Sequence, residues 1–161
     1  MTTNDAIRES IASANMISST YLSDLTDEEM LYRPCAGANH INWQVGHLIV
    51  SEHQMIEQAR PGSMPALPQG FAERYSRETA SLDGASNFDS KADLLATAQQ
   101  QRAATLKNLD AITDDASFDA PTGISYAPTV GHLFLMQGTH WLMHAGQWAL
   151  IRRQLGRPAL I

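Results

Sequence analysis

The sequence predicts an all-α fold, a four-helix bundle, on three observations. Four segments carry apolar residues at the three-, four- and seven-residue spacings of a helix. Each is bounded by residues that start or stop helices, and no segment reads convincingly as a strand. A long loop rich in proline and glycine separates the second helix from the third. The chain has 161 residues, 43% of them hydrophobic and 17% charged, which suits a single domain over residues 1–161 with a core that needs no disulfide.

The first predicted helix covers residues 3–22, where Ile7, Ile11, Met16, Ile17 and Leu22 make one apolar stripe. Pro34 and Gly37 interrupt the chain, and Asn39 is a suitable N-cap for a second helix over residues 40–60. That helix places Ile41, Val45, Leu48, Ile49, Glu52, Met55 and Ile56 at helical period, and Pro61-Gly62 stops it. Residues 61–87 hold three prolines and three glycines, so only 71–79 is expected to form a short helix. A crossover of this length can travel the height of a bundle, so the helices it joins need not be antiparallel neighbours. The third helix, over 90–112 with Asp89 or Ser90 as cap, carries Leu94, Leu95, Ala98, Leu106 and Leu109. After a loop with Pro121 and Gly123, Pro128 is acceptable in a first helical turn. The fourth and most apolar helix runs over 129–155 until Gly156 and Pro158 end it.

Composition also excludes function classes. The formal net charge is −6 and the 17 acidic residues are dispersed, which argues against a phosphate-backbone binder and leaves nucleic acid outside the expected partners. No apolar run reaches the roughly 20 residues of a membrane-spanning helix. Cys35 is alone, and the start MTTNDAIRES has neither a basic nor an apolar leader region, so a soluble protein of the reducing cytoplasm is expected.

The chemistry begins with His140 and His144, which lie four apart on the fourth helix and so project from one face about a turn apart. Two imidazoles so placed can take adjacent positions on one metal ion, or they can line the boundary of a bundle. His47 lies mid-helix on the stripe of Gln44, Leu48 and Ser51 and should point inward, where an unpartnered imidazole is costly. A hydrogen bond within the core or a metal would satisfy it, and the residues alone leave both open.

Three stretches carry a resemblance that weighs on this choice: NHINWQVGHL over residues 39–48, HWLMHAGQ over 140–147, and RQLGRP over 153–158. They resemble the patterns of the DinB/YfiT-like superfamily along nearly the whole chain. The resemblance implies a bundle with a crossover between the second and third helices. It also implies His47, His140 and His144 as a facial set of metal ligands. Ala145 departs from the pattern, in which a basic residue is frequent at that position. From the resemblance follows a metal-dependent activity, with thiol-dependent transfer to small electrophilic substrates ranked first and a metal-dependent hydrolase second. It also implies a homodimer, for which Trp148 and the apolar fourth helix offer contact material. Three neutral ligands leave an open side on the ion and its full charge to acidify what binds there. The cofactors expected are a divalent metal, zinc or nickel first, and a low-molecular-weight thiol. The competing class is a non-catalytic bundle that binds a metal or a small apolar molecule.

Other residues are weighed against plainer roles. Gln44 and Gln147 stand one turn from His47 and His144 respectively, within reach of a ligand or a metal-bound water. Trp141, beside His140, could wall a substrate pocket, although core packing is the simpler role for it and for Trp43 and Trp148. His132 lies eight residues before His140, about 12 Å along the axis, and is expected to cap or touch a loop. His40 and His53 are read as surface residues, Glu52 and Glu57 as solvated helix-face charges, and Cys35 as inert packing.

Overall fold

In the computed structural model, which describes residues 1–158 and Leu160, the four long helices are α1 (Thr3–Leu22), α3 (Ile41–Ala59), α5 (Lys91–Asp110) and α6 (Val130–Gln154). Between them come two four-residue helices, α2 (Asp27–Met30) and α4 (Phe71–Arg74), and a hairpin of β1 (Pro121–Ile124) and β2 (Ala127–Thr129). The all-α class is as the sequence predicts, and each long helix matches its expected span to within two residues. The hairpin is a correction: Pro128 sits in β2 rather than in a first helical turn, and Pro121 pairs with Thr129, Ile124 with Ala127.

Contacts between side chains and main chain set the helix directions. Lys91 Nζ donates to the carbonyls of Ser23 and Leu25, and Asn4 Nδ2 donates to Leu109 O, so α5 runs antiparallel to α1. Asn42 Nδ2 reaches Asp89 O at one end of α3 and Arg60 reaches Asn108 O at the other, so α3 and α5 are parallel. Gln44 meets His144 and Trp148 while Gln137 meets Met55, so α6 runs antiparallel to α3. The order is up, down, down, up. Two consecutive long helices can run parallel only if the chain returns the height of the bundle between them, which residues 61–87 do.

Helix α1 packs along α6 in the same direction, and Gly138 permits the closest approach: a Cβ there would lie 2.9 Å from Ser10 O. At the other end Arg152, fully buried, donates to Tyr21 O at 2.7 Å and pairs with Asp24, while Arg157 pairs with Glu29 at 2.6 Å. Met16 faces solvent, contrary to the stripe that includes it, and Ile17 packs only partly against the core. On α5, Leu94 and Leu109 are buried but Leu95, Ala98 and Leu106 are half-buried, because the inward face also carries Thr97, Gln101, Arg102, Thr105 and Asn108.

A charged pair sits inside that polar face. Arg102 Nη2 lies 2.9 Å from Glu52 Oε2, with both side chains buried, and the Thr105 hydroxyl donates to Glu52 Oε1 at 2.7 Å. Arg102 also donates to Gln137 O at 3.0 Å and lies over the Trp141 ring at 5.6 Å. Glu52 is therefore a buried ion-pair partner and not a solvated helix-face charge. Removing one member of a buried pair strands the other, at a cost of about 3–5 kcal/mol, whereas an apolar pair of similar volume is close to neutral. Arg102→Met should lower unfolding free energy in urea by that amount, and Glu52→Met combined with Arg102→Met should recover most of it.

Candidate metal centre

The site is built from the first turns of α3 outward. His40 is the N-cap: its Nδ1 accepts from the Trp43 backbone N–H at 3.0 Å, the role expected of Asn39. It is fully buried, with its ring edge on Phe88 at 4.7 Å, because the crossover folds back over the start of α3. Arg33 fixes that fold-back by donating to Ala38 O, Ala80 O and Leu82 O while pairing with Asp83 at 2.7 Å. The expectation that His40 is exposed fails for this reason. Burial and the charge of Arg33 push its imidazole down to about 4, so it caps the helix as the neutral ring.

One turn on, Gly46 explains the glycine before His47. A Cβ at Gly46 would lie 2.1 Å from the Tyr75 ring, so only glycine lets the crossover pack against α3 here. The Tyr75 hydroxyl donates to Asp89 and accepts from the Asp89 N–H, and Arg74 holds the same carboxylate at 2.7 Å. The indole of Trp43 donates to Ser76 O and Thr79 Oγ1, and its ring lies parallel to the His47 ring, 3° apart in plane with centroids at 5.1 Å.

The antiparallel pairing of α3 and α6 brings His47 opposite His140 and His144. The ring centroids are 5.4, 5.8 and 5.0 Å apart, and one nitrogen from each lies within 4.8 Å of the others. Tetrahedral ligation at about 2.1 Å puts ligand nitrogens about 3.4 Å apart, so an ion bound here would draw the three rings closer together. His47 and His140 are half-buried and His144 is buried.

The donor set suits a cation. Burial, reinforced by the neighbouring imidazoles, holds His140 and His144 down at about 4, so both are neutral with lone pairs free at pH 7. Burial, then the charge of Arg77, lowers His47 as well. Gln44 sets one tautomer. Its Oε1 accepts from His144 Nδ1 at 2.8 Å and from Trp148 Nε1 at 2.9 Å, while its amide nitrogen donates to Asn39 O. Since the amide nitrogen is already donating, the oxygen must face His144, whose Nδ1 therefore carries the proton and whose Nε2 is free.

The other candidates fall elsewhere. Gln147 is exposed and makes no hydrogen bond among the described residues. Trp141 lies edge-on to Trp148 and lines a cavity of about 490 Å³ with Ser18, Leu22 and Arg102, a lining that includes none of the three histidines. Trp148 is fully buried and cannot supply the contact surface expected of it. His132 is exposed and bonds Thr129, the N-cap of α6, at 2.9 Å, in keeping with a capping role. His53 is half-buried, not a free surface residue, and bonds Gln101 across to α5. Glu57 accepts from the Gly62 and Met64 N–H groups and so holds the turn after α3. Cys35 is exposed and not packed. Ala145, the departure from the family pattern, is 1% exposed in the core, where a basic side chain would need a partner.

Fold and site together define a helical bundle with a three-histidine group that could hold a metal ion. The family model of the DinB superfamily matches residues 12–148, and the chain belongs to that superfamily. No curated protein matches the chain. No described helix is long and apolar enough to cross a membrane.

The lowered histidines make the metal-free fold sensitive to acid. Between about pH 6.5 and about pH 4 the unfolded chain takes up protons at His40, His140 and His144 that the folded chain refuses. Stability is therefore present above that window and lost as pH falls through it. Urea midpoints of metal-free protein measured across the window should decline steadily, and His40→Asn, which keeps a capping side chain, should flatten the decline.

Proposed function

We propose that His47, His140 and His144 hold one divalent ion and that the protein uses it in thiol-dependent transfer to small electrophilic substrates. The observation that supports this is the convergence of three neutral imidazoles on a half-exposed position, with no carboxylate among them. A divalent ion bound there would supply Lewis acidity, drawing down the pKa of a thiol that approaches from the open side. The residues supply the rest. Gln44 holds His144 in one tautomer, and the Trp43 ring lies parallel to the His47 ring. Val45 and Leu48 on α3 and Ala145 on α6 are buried in the core of the bundle beneath the site. In the proposed reaction the thiol gives its proton to solvent, its sulfur forms a bond to the electrophilic carbon, and the leaving group departs with the displaced electron pair. Zinc and nickel are the metals we assign first, because neutral imidazole suits both.

Metal content by mass spectrometry, on tag-free protein prepared without chelating resin, tests the site. About one ion per chain is expected in the wild type and almost none in His47→Ala or His140→Ala. A wild type that neither carries a metal nor takes up added zinc or nickel would refute the proposal. With metal shown, screening low-molecular-weight thiols against small electrophiles tests the transfer; turnover of esters or amides without thiol would favour a hydrolase instead.

Gln44 gives a finer test. Gln44→Leu frees the His144 ring to rotate and change tautomer, and zinc affinity measured by competition with a chelator should fall about 10–100-fold. Unchanged affinity would show that Gln44 does not orient His144.

A further inference from the structure

We propose that the cleft between α1 and α5 is a binding site, separate from the histidine centre, for a small neutral molecule with an apolar body and one hydroxyl or carbonyl group.

The cleft comes from the way the two helices are joined. Near one end Arg8 pairs with Asp110 and Asn4 donates to Leu109 O. At the other end Lys91 Nζ donates to Ser23 O at 3.0 Å and to Leu25 O at 2.7 Å. Between these ties the facing residues include short ones, Ser18 and Ser19 on α1 and Ala98 and Ala103 on α5, and they border the cavity of about 490 Å³ whose inner wall is Trp141 of α6. Helix α1 is held back from closing the gap by its packing on α6, where Gly138 receives Ser10 and Arg152 holds Tyr21 O.

The lining sets the class of occupant. Leu22, Leu95, Ala98, Leu106 and the Trp141 ring are apolar, and the volume is that of a site for a small organic molecule. Because cross-ties close the seam at both ends, a helix of another protein has no through-groove to lie in. Arg102 is the charged residue of the lining, and Glu52 already offsets it at 2.9 Å. An anion entering the cleft would meet a carboxylate paired with that guanidinium and would lose its own hydration for little return.

Ser18 supplies the polar feature. It lines the cavity and is 2% exposed, and its hydroxyl has no hydrogen-bond partner among the described residues. A buried hydroxyl without a partner is costly, and a hydroxyl or carbonyl on the occupant would provide one. None of the three histidines lines the cavity, so occupancy requires no metal.

The indole N–H groups give a readout that locates the ligand, since Trp141 lines the cleft whereas Trp43 lies against His47 and Trp148 is in the core. NMR spectra of isotope-labelled protein would be followed during titration with 2-naphthol, naphthalene and 2-naphthoate. The Trp141 signal should move most, and 2-naphthol should bind about three- to tenfold more tightly than naphthalene, with 2-naphthoate weaker than 2-naphthol. Ser18→Ala should remove the advantage of 2-naphthol over naphthalene. Ala98→Leu and Ala103→Leu, which fill the cleft from α5, should abolish binding of both while keeping the wild-type urea midpoint or raising it, and His47→Ala should bind as wild type does. A Trp141 signal that stays in place at saturation, wild-type binding by both leucine variants, an advantage that survives in Ser18→Ala, or tighter binding of 2-naphthoate would overturn the assignment. So would loss of binding in His47→Ala, which would put the ligand at the histidines, or a Trp141 signal that moves on dilution without ligand, which would show a second copy covering the cleft.

Discussion

The packing of the crossover against the first half of α3 is the constraint on which the rest of the molecule depends. Parallel α3 and α5 oblige the chain to climb the bundle between them, and a segment rich in proline and glycine has little secondary structure of its own to hold it there. It is held by three devices that converge on α3. Tyr75 packs where Gly46 has no side chain, Trp43 hydrogen-bonds two successive parts of the crossover, and Arg33 gathers three of the nearby carbonyls. These contacts decide which side chains at the head of α3 are covered and which are left to the solvent. They bury His40 as a neutral cap, press an indole against His47, and leave the outer edge of the histidine group open.

Two kinds of polar burial then divide the bundle interior. Toward α5, Glu52 and Arg102 form a paired charge whose net contribution to stability is small but which tolerates no single loss. Toward α6, Gln44 takes the indole N–H of Trp148 and the ring N–H of His144 on one oxygen. The first arrangement cancels charge inside the core. The second leaves imidazole lone pairs uncommitted at its edge, and burial keeps protons off them at neutral pH. Electrostatics thus separates a structural polar layer from a chemically available one, although Gln44 and Glu52 lie only two turns apart on the same helix.

Much of this was legible in the sequence, and the failures share a cause. The long helices announced themselves through period and punctuation, and the helical spacing of His140 and His144 placed them on one face. The GHL triplet at 46–48 and its copy at 131–133 look alike in sequence but differ in the structure. Gly46 receives a tyrosine ring and precedes a residue of the histidine group, whereas Gly131 lies against Phe118 and precedes an exposed capping histidine. What covers a residue decides its role, and the cover comes from segments far away in the chain. His40, Glu52 and Cys35 were misplaced for that reason. Helix α2 had a local signal, the Thr26 to Glu29 capping box, which both side chains make in the structure. The short hairpin had none, since Pro121, Gly123 and Pro128 obscure any alternation.

The pairing of the first long helix with the last has a consequence for biosynthesis. Arg152 reaches Tyr21 across 131 residues of chain, and His144 reaches Gln44 across 100. While the polypeptide is still emerging from the ribosome, α1, α3 and α5 can gather, but the histidine cluster has a single member. The cluster comes into being only when α6 docks, so an ion bound there would arrive after translation has passed that helix and would latch it onto the helices made before it.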